Sequence, residues 1–150
     1  MDGIEQAKKD LSELETKRQA VEGLRVQIQQ LDADMVAASE LGYIVAGEKE
    51  PSAKMKALMD EKRVLCEKEK AMRAHLRHVD HVAAALDEQE WLALKLFFCR
   101  GLKPGQAVRR LEDRLHISRS EVYRLREVAL WHFACRMGYI DTTPKKRKKR

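Results

Sequence analysis

The sequence contains few residues of the kinds that interrupt helices or cross-link chains. Its 150 residues include three prolines, seven glycines and three cysteines, and aromatic residues make up only 5%. Scarce proline and glycine leave long stretches able to form helix without interruption, and no alternating run of β-branched residues predicts a strand. We therefore expect an all-α protein.

The cysteines, Cys66, Cys99 and Cys135, are odd in number and widely spaced. This spacing argues against a disulfide framework, favours a reducing compartment and offers zinc no pair of nearby thiolates. No apolar run approaches the roughly 18 residues of a membrane span, and the first ten residues lack the apolar core of a signal peptide. The sequence thus predicts a cytoplasmic protein without membrane contact.

Positive charge is concentrated toward the C-terminus. The formal net charge is +6, yet residues 1–102 carry 16 basic and 19 acidic side chains. Residues 103–136 carry 8 basic and 4 acidic side chains, and residues 145–150 are all basic. This distribution is typical of a polyanion-binding end attached to an electrostatically ordinary arm.

Residues 1–86 are predicted to form a coiled-coil helical arm. Apolar residues recur at steps of three and four between residues 4 and 35, with one polar break at Lys17 and Arg18, and every seven residues between 58 and 86. Residues 39–52 contain two glycines and a proline and predict a loop, with a second helix beginning near Ser52. The two helices can form an antiparallel hairpin within one chain, and the same seams can also join protomers. We expect a homo-oligomer assembled through these N-terminal helices.

Three histidines, His75, His78 and His81, lie three residues apart in the second helix of the arm. Adjacent pairs are near one another on a helix surface, but no thiolate or well-spaced carboxylate completes a metal site. The sequence also lacks a glycine-rich phosphate loop and a nucleophile placed beside a base. We predict no enzyme activity, no metal and no cofactor.

Residues 87–140 are predicted to form a helix-turn-helix DNA-binding domain. Asp87 and Glu90 have the spacing of a capping box, which predicts a helix start. Gly101 is placed to end that helix, and Pro104 suits the first turn of the next.

The segment from Leu115 to Leu125 carries the sharpest signal, because a helix, a tight turn and a serine cap follow one another directly. Ser118 is predicted to cap the second helix, with Glu121 three residues later completing a capping box. A left-handed backbone at His116 would be tolerated better by histidine than by most residues. The exposed start of this helix has the composition to enter a major groove, and the predicted base-reading residues are Arg119, Ser120, Tyr123 and Arg124.

Further basic residues are predicted to hold DNA phosphates. They are Lys103, Arg109, Arg110 and Arg126 in the domain, and Lys145, Lys146, Arg147, Lys148, Lys149 and Arg150 in a disordered tail, residues 141–150. A nuclear localisation signal would have the same composition, so the tail sequence alone leaves open whether it is a DNA clamp or a targeting signal. The alternative interpretation of the whole basic surface is a solvated face of a small helical bundle.

The order of these elements resembles the small phage-encoded transcriptional regulators of the RinA and ArpU kind, whose C-terminal part is similar to the sigma-factor region that reads the −35 promoter element. The residues most specific to this resemblance are the Val-Tyr-Arg of Val122 to Arg124 and the following Ala129 and Leu130. The resemblance implies control of late phage genes and base contacts from Arg119, Ser120 and Arg124.

The sequence therefore favours a sequence-specific regulator that binds double-stranded DNA. Two alternatives stay open. One is a phage DNA-packaging protein that resembles a small terminase and marks the genome for a motor. The other is a factor whose main contact is RNA polymerase, with DNA contact secondary.

Overall fold

The computed structural model describes the backbone of residues 2–43 and 52–141, and the side chains of these residues except 41–43. The described residues form six α-helices and one π-helical segment, with no strand among them. Their bounds are α1 Gly3–Ser12, α2 Leu14–Tyr43, α3 Ala53–Ala85, α4 Glu88–Leu94, the π-helical segment Lys95–Cys99, α5 Pro104–Leu115 and α6 Arg119–Arg136. None of these helices is long and apolar enough to cross a membrane. The all-α fold predicted from the sequence is confirmed.

The contacts divide the chain into two compact units. We call residues 16–76 the hairpin unit, and residues 1–15 together with 77–150 the head unit. Residues 1–86 were predicted to form one arm. The boundaries between the two units, after residue 15 and after residue 76, both lie inside that range. Helix α1 packs against α6 and the π-helical segment, which makes it part of the head unit.

The hairpin unit consists of parts of α2 and α3 that run antiparallel. Arg25 Nε lies 3.3 Å from Glu69 Oε1, and Lys62 Nζ lies 2.5 Å from Asp32 Oδ1, so residues later in α2 meet residues earlier in α3. Its buried apolar side chains come from the predicted stripes and are Val21, Leu24, Leu31 and Leu76. Lys62 and Glu69, which interrupt the apolar row of α3, thus supply cross-hairpin ion pairs.

The predicted loop over residues 39–52 is shorter than expected, because α2 continues to Tyr43. A single glycine in a helix costs only about 1 kcal/mol relative to alanine, so Gly42 alone does not end α2. Residues 44–51 lie outside the described residues. The Ser52 hydroxyl accepts a hydrogen bond from the backbone N–H of Met55 at 3.1 Å, which confirms the predicted start of the second long helix.

The core of the head unit is formed where α1, the end of α3 and helices α4 to α6 bring their apolar faces together. Fully or almost fully buried side chains in it include Ala7, Leu11, Val79, Leu94, Ala129, Leu130, Phe133 and Ala134. Gly101 and Gly138 follow the π-helical segment and α6 with φ angles of 64° and 84°. The left-handed backbone favours glycine at both positions, and the helix end predicted at Gly101 is confirmed.

Helix α4 begins at Glu88, close to the predicted start, but its predicted capping box is not formed. Asp87 occupies the N-cap position without a side-chain capping bond. The Glu90 carboxylate instead lies 2.9 Å from Nδ1 of His132 on α6. Glu90 therefore joins α4 to α6 instead of capping its own helix.

Candidate nucleic-acid interface

The turn between α5 and α6 has the geometry predicted for a helix-turn-helix. Helix α5 ends at Leu115 and α6 begins at Arg119, so only three residues connect them. His116 adopts a left-handed backbone with φ 54° and ψ 45°, which reverses the chain at the end of α5. Ser118 Oγ accepts from the Glu121 backbone N–H at 3.3 Å, which caps the start of α6.

An apolar cluster beneath this turn fixes the two helices relative to each other. Its buried members are Ala93, Leu96, Ala107, Val108, Leu111 and Val122, which come from α4, the π-helical segment, α5 and α6. Leu115 and Ile117 pack against this cluster from either side of His116. The N-terminal turn of α6 is therefore held by a packed three-helix core rather than by the turn alone.

Three of the four predicted base-reading side chains are exposed at the start of α6. Arg119, Ser120 and Arg124 all lie on its accessible surface, and their formal charge is +2. Ser120 Oγ lies 3.2 Å from Ser118 Oγ, so the capping serine helps to place the neighbouring hydroxyl. This part of α6 presents guanidinium and hydroxyl donors to solvent, as base or phosphate contacts require.

Tyr123, the fourth predicted base-reading residue, is half-buried, whereas the prediction placed it on the exposed face of α6. The ring packs beside Phe97 with 6.3 Å between centroids. The guanidinium carbons of Arg119 and Arg126 lie 5.9 Å and 4.9 Å from its centroid. Tyr123 follows Val122, which points directly into the core, so it lies on the flank of α6 and contacts the π-helical segment. Its ring therefore orients two arginines.

Arg126, a predicted phosphate-binding residue, contacts two aromatic rings and a carboxylate of the head unit. Its guanidinium lies 5.1 Å from the Phe97 centroid, in addition to its contact with Tyr123. Its Nη2 is 2.7 Å from Glu127 Oε1. Cation–π contacts with two rings restrict this side chain, so its charge is fixed against the head unit.

The predicted phosphate-binding residues at the start of α5 and within it, Lys103, Arg109 and Arg110, lie in different surroundings. Lys103 and Arg109 are exposed, and the Lys103 backbone N–H donates to Gln106 Oε1 at 3.3 Å. Arg110 is also exposed but lies with Arg100 and Arg114 around a pocket that contains no residue of α6. Successive residues on a helix point about 100° apart, which accounts for the different surroundings of Arg109 and Arg110. The predicted basic tail from Lys145 to Arg150 lies outside the described residues.

No protein-family model, curated protein or solved structure matches this chain.

Sequence reasoning did not identify the contact between the two ends of the head unit. The Tyr139 hydroxyl donates a short hydrogen bond to the carboxylate of Asp10, which is only 2% exposed. Gln6 Nε2 donates to the same carboxylate at 3.0 Å. The backbones also approach closely, since a Cβ on Gly3 would lie 2.5 Å from the Tyr139 carbonyl oxygen. Helix α1 is thereby joined to the segment that follows α6.

Two partly buried groups, the phenol of Tyr139 and the thiol of Cys135, have raised pKa values. Burial and the adjacent Asp10 raise the pKa of Tyr139, so its phenol stays protonated at neutral pH. Burial also raises the pKa of the Cys135 thiol, which lowers its nucleophilicity at neutral pH. Within residues 2–43 and 52–141, no group of three or more His, Cys, Asp or Glu side chains is arranged to hold a metal ion. His75, His78 and His81 are among these described residues.

Proposed function

We propose that the chain is a sequence-specific regulator that binds double-stranded DNA through the N-terminal half of α6. The observation that carries this proposal is the rigid presentation of α6. A left-handed His116, a Ser118 cap and a packed core hold the exposed Arg119 and Arg124 at its start. Helices presented in this way insert their first turns into a major groove, where arginine forms bidentate bonds with guanine.

The proposal gives different roles to the basic residues. Arg119, Ser120 and Arg124 meet base edges, while Lys103 and Arg109 hold phosphates beside the groove. Tyr123 positions Arg119 instead of reading a base, because its ring is packed against Phe97. The tail residues 145–150 add sequence-independent attraction to the DNA backbone and make binding strongly dependent on salt.

Oligomerisation through the N-terminal helices is part of the same proposal. The hairpin unit exposes Val26, Val36, Met59 and Val64, with exposed fractions of 46–63%. Apolar side chains of this size on a two-helix hairpin favour a second copy as a partner, and two copies would present two heads to adjacent half-sites. The resemblance to phage regulators adds late-gene control as the proposed biological setting.

A second candidate function is contact with RNA polymerase. Val128 and Trp131 are 41% and 48% exposed on α6, one and two turns beyond Arg124. An exposed tryptophan beside an exposed valine is typical of a protein-binding surface. On this alternative, DNA contact by Arg124 is secondary and binding to polymerase depends on Trp131.

The test is selection of genomic fragments by the purified full chain, followed by gel-shift titration of an enriched site and of random DNA. Arg124→Ala is expected to weaken binding to the enriched site by about 1–3 kcal/mol while leaving random DNA nearly unchanged. Arg136→Ala is the matched control, because Arg136 is an exposed arginine in the last turn of the same helix.

A chain ending at Pro144 separates attraction from discrimination. It is expected to bind all sequences more weakly and to show a shallower dependence on salt. Equal losses on enriched and random DNA for Arg124→Ala would contradict the reading role. Ring assembly without any effect on a reporter promoter would favour the packaging alternative, and polymerase capture abolished by Trp131→Ala would favour the second candidate.

A further inference from the structure

A basic pocket lies on the head unit between the π-helical segment and α5. It has a volume of about 340 Å³ and is lined by Leu96, Arg100, Arg110, Asp113 and Arg114. Arg110 and Arg114 are four residues apart, so they lie one above the other on the same face of α5. Arg100 follows the π-helical segment and completes the pocket from the other side.

The three guanidinium groups carry charge that the described part of the chain does not neutralise. None of Arg100, Arg110 and Arg114 forms an ion pair with a described carboxylate, even though Asp113 shares the pocket. Their combined formal charge with Asp113 is +2. Like charges around one pocket repel one another, and this repulsion is relieved when an anion binds among them.

The geometry of the donors and the size of the pocket define the class of anion. Guanidinium groups match the oxygens of phosphate, to which they can donate two parallel hydrogen bonds. Pockets for small ligands begin at about 300 Å³, so this one has room for more than a bare phosphate. Leu96, which is 2% exposed, provides an apolar wall, and Asp113 provides an acceptor for a hydroxyl or amino group.

We propose that this pocket binds the phosphate group of a nucleotide, supplied either by a free nucleotide or by the DNA backbone. It lies on the flank of α5 that faces the π-helical segment, and none of the proposed base-reading residues lines it. With a DNA phosphate as the ligand the inference rests on the proposed function, whereas with a free nucleotide it stands independently of it.

The experiment compares the wild-type full chain with the pocket variant Arg100→Gln/Arg114→Gln. The control variant is Arg77→Gln/Arg136→Gln, which removes two exposed arginines of the head unit outside the pocket and leaves the same net charge. Thermal unfolding checks that all three proteins are folded. Calorimetric titrations use inorganic phosphate, 5′-AMP and polyglutamate as probes, and gel shifts use a random-sequence duplex at several salt concentrations.

If the ligand is a free nucleotide, 5′-AMP should bind saturably to the wild type and to the control. The pocket variant should then bind 5′-AMP at least tenfold more weakly. If the ligand is a DNA phosphate, the salt slope of duplex binding should instead fall by about 0.9 in the pocket variant and clearly less in the control, because one phosphate contact is lost. Either result supports the proposal that this pocket binds a nucleotide phosphate.

Two results overturn the inference. One is that the pocket variant and the control behave alike toward phosphate, 5′-AMP and DNA. The other is that only polyglutamate binds in a pocket-dependent way, which would assign the pocket to an acidic protein. Because 5′-AMP binding does not involve Arg124, failure of the DNA-reading test and failure of this one are observed separately.

Discussion

Removing the Tyr139 hydroxyl is expected to destabilise the head unit specifically. In Tyr139→Phe the buried Asp10 carboxylate loses one donor and keeps the Gln6 amide at 3.0 Å. Removing one donor from a buried carboxylate costs about 1–3 kcal/mol, and loss of a single oxygen adds little cavity. The free energy of unfolding of the head unit should therefore fall by about 1–3 kcal/mol.

Urea unfolding followed by tryptophan fluorescence measures this change in the appropriate unit, because both tryptophans, Trp91 and Trp131, belong to the head unit. Tyr123→Phe is the matched control. It removes the same atom from a half-buried ring whose contacts with Phe97 and two arginines are retained, so its effect should stay within about 0.5 kcal/mol. Equal midpoints and slopes for Tyr139→Phe and wild type would refute the proposed strength of the contact between α1 and the end of the head.

Three further predictions concern the same unit. His116→Gly should raise its unfolding free energy by up to about 1 kcal/mol, because glycine adopts the left-handed conformation without a Cβ penalty; a loss of stability on urea unfolding would contradict the assigned backbone. Leu111→Ala should cost about 2–5 kcal/mol in the same assay, since Leu111 is fully buried beneath the turn, and a change below 1 kcal/mol would show that the cluster does not support α6. Because the pKa of Tyr139 is raised by folding, native protein holds its proton more tightly than unfolded protein, and stability should fall as the pH rises above about 10. The fall should be less steep in Tyr139→Phe, and identical alkaline profiles would exclude this linkage.

Local signals predicted the helix boundaries well because their causes lie within a few residues. Gly101 ends the first helix of the domain, and Ser118 caps the last. His116 adopts the left-handed conformation that was predicted to be tolerable for histidine, although glycine is more usual there. Each of these features is decided by backbone conformation or by a hydrogen bond within three residues.

Features that depend on distant residues were not predictable in the same way. Asp10 and Tyr139 are separated by 129 positions, and no periodicity connects them. One signal did exist, because Asp10 interrupts the apolar face made by Ala7, Leu11 and Leu14, and a charged residue in such a place needs a buried partner. The packing of Tyr123 on Phe97 had no comparable signal, since a ring on the flank of a helix suits both solvent and core.

The ion pairs Arg25–Glu69 and Lys62–Asp32, which join α2 to α3, affect how these two helices can align along their length. Arg25 and Asp32 lie one heptad apart on α2, and Lys62 and Glu69 lie one heptad apart on α3. A heptad repeat alone permits the helices to shift by seven residues, since apolar residues would again face each other. In one direction this shift would place Arg25 opposite Lys62, and in the other Asp32 opposite Glu69. Both alternative alignments bring like charges together, so the polar interruptions select a single alignment from those that the apolar seam allows.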